Sequence, residues 1–417
     1  MSEEWGGIED TIEDPEETRV LFCALDSFSQ YAKNAHLNCT HFRRQAFYAM
    51  PQAHWQMLAA PPFNYLDTLN RVDDAIDSNA ELARNILKCG LRSFVATAPD
   101  QEAEMPVEWS GIAKYSDMDR ARSTLRQFYR DWSAEGVVER EACYGPVYKA
   151  LEAEKARRSS SLSNGEAVAA EQPLQVLVPG AGLGRLVFDL CRLGYESEGN
   201  EISYHQLLAS SYILNSCERA GQHTLYPWIH TFSNHLSRED QFKSYGVPDI
   251  HPQQALIEAA KTSKIGTMQM CAADFLCLYG DAAHADKYDA VAAVFFLDTA
   301  PNLIRYLEVV RHCLKPGGIL INVGPLLWHW EDKVADNHGY DGDADHDENN
   351  SLGIADPGSF ELTDDEVITL VEKLGFVVET RQSGLTAPYM QDPQSMLQTV
   401  YRASHWIARK PETSSHE

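Results

Sequence analysis

Positive charge is scarce in this chain. Its 417 residues carry 35 Lys and Arg against 61 Asp and Glu, a formal net charge of −26. Nucleic acid and anionic membrane both demand basic surface, so neither is an expected partner. Long apolar runs are missing too: nothing approaches the roughly 20 residues that cross a bilayer, and no transmembrane helix is expected. The stretch MSEEWGGIEDTIEDPEET is acidic and lacks the basic and apolar regions of a signal peptide. The nine cysteines show neither paired metal spacing nor a compact disulfide framework. They read as reduced thiols of an intracellular protein, expected in the cytoplasm and also in the nucleus. An acidic run, DGDADHDENN from Asp341, has the alternating Asp of a calcium loop. No register supplies the required Gly at position six and Glu at position twelve, so no metal is expected there.

What is present suits a folded enzyme. Hydrophobic residues make up 44% and aromatics 10%, enough to fill a large core. Residues 1–18 read as an acidic disordered tail. Residues 19–157 read as helical, with Ser116 and Gly136 bounding the helix SDMDRARSTLRQFYRDWSAEG. A Ser- and Ala-rich stretch, 158–171, reads as a flexible insertion. From 172 to 411 short apolar strands alternate with amphipathic helices, and a pair of strands closes the chain before a short tail, 412–417. That pattern predicts an α/β fold, a doubly wound sheet with helices on both faces, interrupted by an acidic insertion at 333–357.

The first strand of that region runs into VLVPGAGLGRL, so Gly180, Gly182 and Gly184 fall in a strand-to-helix turn. Glycines there let the backbone approach a ligand, and an acid about twenty residues on, here Glu201, can hold both ribose hydroxyls of a nucleotide. A dinucleotide site has its third glycine where this chain has Arg185. CAADFLCLY puts Asp274 and Phe275 after a later strand, a carboxylate and a ring suited to an adenine. LKPGGILINVGP gives the turn into a fifth strand usual in Rossmann-like class I methyltransferases. Together these point to S-adenosyl-L-methionine rather than NAD.

The segments QFYRDWS, LVPGAGLGRL, GNEIS, ADF, FFLDTAPN, GPLLWHW and VYRASHWIARKP resemble the carnosine N-methyltransferase family, also called N2227-like proteins. The resemblance runs from the N-terminal helices to the last strand. It implies methyl transfer from S-adenosylmethionine to the Nπ atom of the histidine in carnosine, giving anserine. It implies cofactor contacts from Gln127, Arg130, Gly180, Gly182, Glu201, Asp274, Phe275 and Val294. It implies acceptor contacts from Asp298, His329 and Tyr401, with Asp298 catalytic, and a homodimer formed through the N-terminal helices. The chain departs from the family pattern at Pro301, where a His is usual, and at Thr399, where a Tyr is usual.

On the residues alone, plainer readings stand beside these. Gln127 and Arg130 read as a solvated helix face, and Asp298 as a cap for the helix that follows. His329 reads equally as a core histidine between two tryptophans, and Tyr401 as a cross-strand packing residue. Two rival functions also stand: a methyltransferase acting on another small molecule or on a protein histidine, and a non-catalytic binding protein on a degenerate methyltransferase fold.

Overall fold

The computed structural model describes residues 15–94, 105–162, 172–331 and 358–412. Seven strands form the main sheet: β1 Gln175–Pro179, β2 Glu196–Glu201, β5 Met268–Ala272, β6 Tyr288–Val294, β7 Leu314–Gly324, β8 Val377–Pro388 and β9 Val400–Arg409. Two short strands, β3 His223–Leu225 and β4 Tyr245–Val247, pair separately. The main order is β5-β2-β1-β6-β7-β9-β8, parallel except for the antiparallel β9. Chain order therefore reverses between β1 and β6, and ligands bind where such a reversal opens a crevice at the strands' C-terminal ends.

The central strands β1 and β6 are mostly apolar and buried on both faces, as parallel strands covered by helices are; the one charge in β6, Asp289, pairs with Arg158 and Lys315. One face packs Val176, Ile319 and Ile321 against Val147 and Leu151 of the helix Val137–Leu162. The other packs Leu177, Val291 and Leu320 against the helices Leu303–Cys313 and Asp364–Lys373. The N-terminal helices are not a separate body. Leu25, Phe28, Ile76, Leu125 and Phe128 share one core with Phe188, Leu208 and Ile213 of the α/β region. At about 1.5–3 kcal/mol for each large side chain buried, that shared core ties the two parts together.

Several boundaries move. Residues 15–18, expected in the tail, open the helix Pro15–Ser29; Pro sits where an N–H has no partner, and Glu16 and Glu17 meet the positive end of the dipole. The helix Val137–Leu162 runs through 158–162, expected in the flexible insertion. The cap of the helix Tyr115–Trp132 is Lys114, not Ser116; the Asp117 carboxylate accepts the Lys114 N–H at 2.9 Å. That helix ends at Ser133, three residues before Gly136. A Cβ on Gly136 would lie 2.2 Å from the Tyr129 carbonyl, so glycine there permits close passage of the chain. The remaining insertion, 163–171, the acidic insertion 333–357 and residues 1–14 and 413–417 lie outside the described residues. Among the described residues no helix is long and apolar enough to cross a membrane, no His/Cys/Asp/Glu group suits a metal, and all nine cysteines are free.

Candidate active site

The glycine turn, Glu201, Asp274 and Asp298 all lie at or just past the C-terminal ends of parallel strands. Gly180, Gly182 and Gly184 have φ of +66°, +58° and +74°. A Cβ at Gly180 would lie 2.9 Å from the Phe296 ring, and one at Gly182 2.9 Å from the Gln206 side-chain oxygen. Backbone and space both require glycine there. Glu201, buried at the end of β2, accepts the Gly182 N–H through Oε2 at 2.9 Å. Its Oε1 accepts the Ile202 and Ser203 N–H groups, each at 2.9 Å. Burial pushes the Glu201 pKa up and those three donors pull it back. A carboxylate accepts about four hydrogen bonds, which leaves acceptor capacity for a ribose hydroxyl.

The helix Tyr115–Trp132 crosses the mouth of this crevice. Gln127 is not on a solvated face: its side-chain oxygen is buried without a partner. Such an acceptor calls for a donor, and the ammonium of an amino-acid tail is one. Arg130, one turn on, lines a cavity with Gly180, Val294 and Phe295. Its Nε and Nη2 donate to Asp131 at 2.8 and 3.1 Å, and its guanidinium lies 5.2 Å from the Tyr389 ring centre. That fork is taken; the Nη1–Nη2 edge is the side a ligand carboxylate can use.

Arg185, which replaces the dinucleotide glycine, holds this helix in place. It donates to Asp249 at 2.7 and 3.1 Å, to Asp189 at 3.0 Å and to the Asp131 carbonyl at 2.9 Å. Arg140 reaches the Arg130 and Ser133 carbonyls at 2.6 and 2.8 Å. Two arginines thus satisfy the helix's orphan carbonyls and its negative end.

Asp274 caps the short helix Phe275–Tyr279, accepting the Leu276 and Cys277 N–H groups at 2.8 and 3.2 Å. Phe275 departs from expectation. Its ring is not offered for stacking on a ligand: it is buried among Phe296, Tyr306 and Tyr279, with centroids 5.3–5.4 Å away. What it can present is its backbone N–H in the first helical turn, which the Asp274 side chain does not take.

The other wall belongs to the acceptor candidates. Asp298 is 2% exposed, on a single 3-10 turn Leu297–Thr299 after β6. It caps nothing: Asn302 caps the helix Leu303–Cys313, accepting the Ile304 N–H at 3.2 Å. Asp298 Oδ2 instead accepts the Leu327 N–H at 2.9 Å, and its carbonyl accepts the His329 N–H at 3.1 Å. Burial raises the Asp298 pKa; the Leu327 donor and the nearby His329 charge lower it. His329 is exposed, not packed in the core. The indole N–H groups of its neighbours Trp328 and Trp330 anchor to the Leu362 and Thr299 carbonyls, both at 3.0 Å. Tyr401 is half-buried, and the Asp298 charge acts on its hydroxyl.

Two further residues belong here that the sequence did not mark. Phe295 has φ +54°, a left-handed conformation costly for a bulky residue and frequent at functional sites. Its ring stacks on Tyr389 at 5.1 Å and meets Tyr401 edge-on at 5.8 Å; the two tyrosines are 5.9 Å apart. Phe295, Tyr389 and Tyr401 make an aromatic box beside Asp298. The apolar run FF gave no sign that the first Phe turns outward, and Tyr389 sits in the β8–β9 connection, unmarked by periodicity.

An unpaired buried acceptor at Gln127, a glycine cradle and an acid with capacity for a hydroxyl fit the amino-acid and ribose parts of S-adenosylmethionine. Relatives agree. A profile of the family described as carnosine N-methyltransferase matches residues 107–412. The carnosine N-methyltransferase of Schizosaccharomyces pombe is 35% identical over 397 residues, covering 95% of this chain and 97% of that protein. The carnosine N-methyltransferase of Rattus norvegicus is 32% identical over 409 residues, covering 96% and 89%. Among solved structures, magnesium protoporphyrin IX methyltransferase of Synechocystis with bound SAH aligns at TM-score 0.33 and 14% identity, over 71% of this chain and 95% of that one. With its seven-strand sheet in class I order and S-adenosyl-L-methionine as methyl donor, this chain belongs to the carnosine N-methyltransferase family.

Proposed function

We propose that this enzyme methylates the Nπ atom of the histidine imidazole in carnosine, giving anserine. The observation that carries the proposal is the buried Asp298 carboxylate, held by the Leu327 N–H beside an aromatic box and close to His329 and Tyr401. S-adenosylmethionine, when bound, supplies an electrophilic methyl group. The chain's own work is to position and to hold a proton. A neutral imidazole has one N–H and one lone pair. Asp298 accepts the Nτ–H, which leaves Nπ bare and fixes the ring's direction. As positive charge develops on the ring, the carboxylate beside it stabilises that charge in a site shielded from water, as the Asp of a Ser-His-Asp triad does for its His. Phe295, Tyr389 and Tyr401 offer flat apolar walls for the ring and exclude water. Gln127 and Arg130 would hold the ammonium and carboxylate of the cofactor, Glu201 its ribose, and Asp274 with the Phe275 N–H its adenine.

The exposed apolar side chains Phe42, Tyr48, Met57 and Phe63 suit burial against a second copy through the N-terminal helices. The deciding experiment is a product assay with carnosine, homocarnosine and a panel of histidine peptides, locating the methyl group by NMR. Methylation of carnosine at Nπ is expected. A product on Nτ, or turnover only of other peptides or a protein histidine, would overturn the assignment.

A further inference from the structure

A cleft of about 460 Å³ opens beside the aromatic box. It lies between the helix Tyr115–Trp132, the 227–235 loop and the β8–β9 connection. Met390 and Thr399 form part of its wall, so it adjoins Tyr389 and Tyr401 along the chain. Three groups in it could meet a ligand. Arg126 has no carboxylate within ion-pair distance among the described residues, although its neighbour Arg122 is paired with Asp119 at 2.9 Å. Arg126 is nonetheless fixed: Nη2 donates to the Met390 carbonyl at 2.7 Å, and its guanidinium lies 4.9 Å from the Trp228 ring centre. The second and third are His235 Nδ1 and Asp392 Oδ2, both buried and without a hydrogen-bond partner. Their side chains are only 8% and 6% exposed, and the two atoms lie 3.9 Å apart, beyond hydrogen-bond reach. His235 Nε2 donates to the Thr231 carbonyl at 3.0 Å, so in the neutral ring Nδ1 is a bare lone pair. With the ring neutral, these are two buried acceptors 3.9 Å apart, close enough for one donor to serve both, and Arg126 offers a guanidinium already held in place to an anion.

We propose that this cleft receives the part of the peptide beyond its imidazole, with the carboxylate on Arg126 and the amino group between His235 Nδ1 and Asp392 Oδ2. The inference rests on the peptide-imidazole reading above and deepens it. The site would select short zwitterionic peptides, because a histidine inside a protein chain brings neither terminal charge.

The test compares KM for carnosine, carnosinamide and N-acetylcarnosine. On the wild-type enzyme each blocked peptide should show KM raised about tenfold or more, the range for a hydrogen bond to a charged group. Arg126→Gln should erase the preference for carnosine over its amide, Arg126→Lys should restore part of it, and Asp392→Asn should erase the preference over the acetylated peptide. Titration with S-adenosylmethionine checks that each variant is folded. Equal KM for the three peptides on the wild-type enzyme, or a preference that survives Arg126→Gln, overturns this assignment alone. No turnover of carnosine overturns the peptide reading and this inference with it.

Discussion

Asp298→Asn separates the carboxylate's charge from its structural bond. In the wild type Oδ2 accepts the Leu327 N–H at 2.9 Å in a site 2% exposed. An Asn oxygen can keep that bond, so the loop 325–331 should hold its place. What disappears is the negative charge that fixes the acceptor's tautomer and balances the developing imidazolium. Loss of such a group costs about 10²–10⁴ in turnover, or ~3–5.5 kcal/mol of barrier. Stability should move the other way. Burial raises the Asp298 pKa above its ordinary 3.8. The folded state therefore binds more protons than the unfolded state as pH rises from about 4, and ionisation weakens the fold over that window. Asn removes this penalty, so the variant should unfold no earlier than the parent at pH 7. Asp298→Ala leaves the Leu327 N–H unpaired, about 1–3 kcal/mol against the fold, and is the harsher control. Turnover with carnosine, thermal unfolding and cofactor titration read the three quantities separately. The parent should lose activity with acid from both Asp298 and the substrate imidazole, and the Asn variant's residual activity from the imidazole alone. An Asn variant with near-parental turnover would refute the tautomer-holding role.

Other substitutions probe the cofactor side. Glu201→Ala should weaken S-adenosylmethionine binding about tenfold or more by calorimetry; an unchanged Kd removes Glu201 from the ribose site. Gln127→Leu deletes a buried acceptor that has no partner, so the free enzyme should gain about 1 kcal/mol in urea unfolding while cofactor affinity falls. A variant that loses stability with affinity unchanged contradicts the ammonium-site reading. Arg185→Ala leaves the half-buried Asp249 and Asp189 without their main partner and should cost about 3 kcal/mol in urea unfolding, so that an unshifted midpoint would deny the clamp.

The parallel sheet was legible because its strands had to be. β1 and β6 are covered on both faces, and apart from Asp289, which is ion-paired to Arg158 and Lys315, they read as apolar runs. β2 was read from its place after the glycine turn rather than from its composition: ESEGNE is polar yet buried. Glu198 is accommodated by the Tyr279 hydroxyl at 2.7 Å, Gln269 at 2.6 Å and Lys287 at 3.1 Å, partners 71 to 89 residues away that no local pattern reveals. The β3–β4 pair and the 227–235 loop left no periodic trace, because their role is to cover the N-terminal helices and wall the cleft.

Residue identity alone settled that glycines turn at 180, 182 and 184, that an acid follows at 201 and that another follows strand β6 at 298. Those positions need a missing Cβ or a carboxylate whatever surrounds them. Only tertiary structure could decide which side chains are spent. It gave the Phe275 ring to the core, half of the Arg130 fork to Asp131 and the helix cap to Asn302, which frees Asp298 for the crevice. It also left the Gln127 side-chain oxygen, His235 Nδ1 and Asp392 Oδ2 buried without hydrogen-bond partners. Whether a polar group is satisfied depends on neighbours brought from distant parts of the chain, which no local pattern in the sequence reveals.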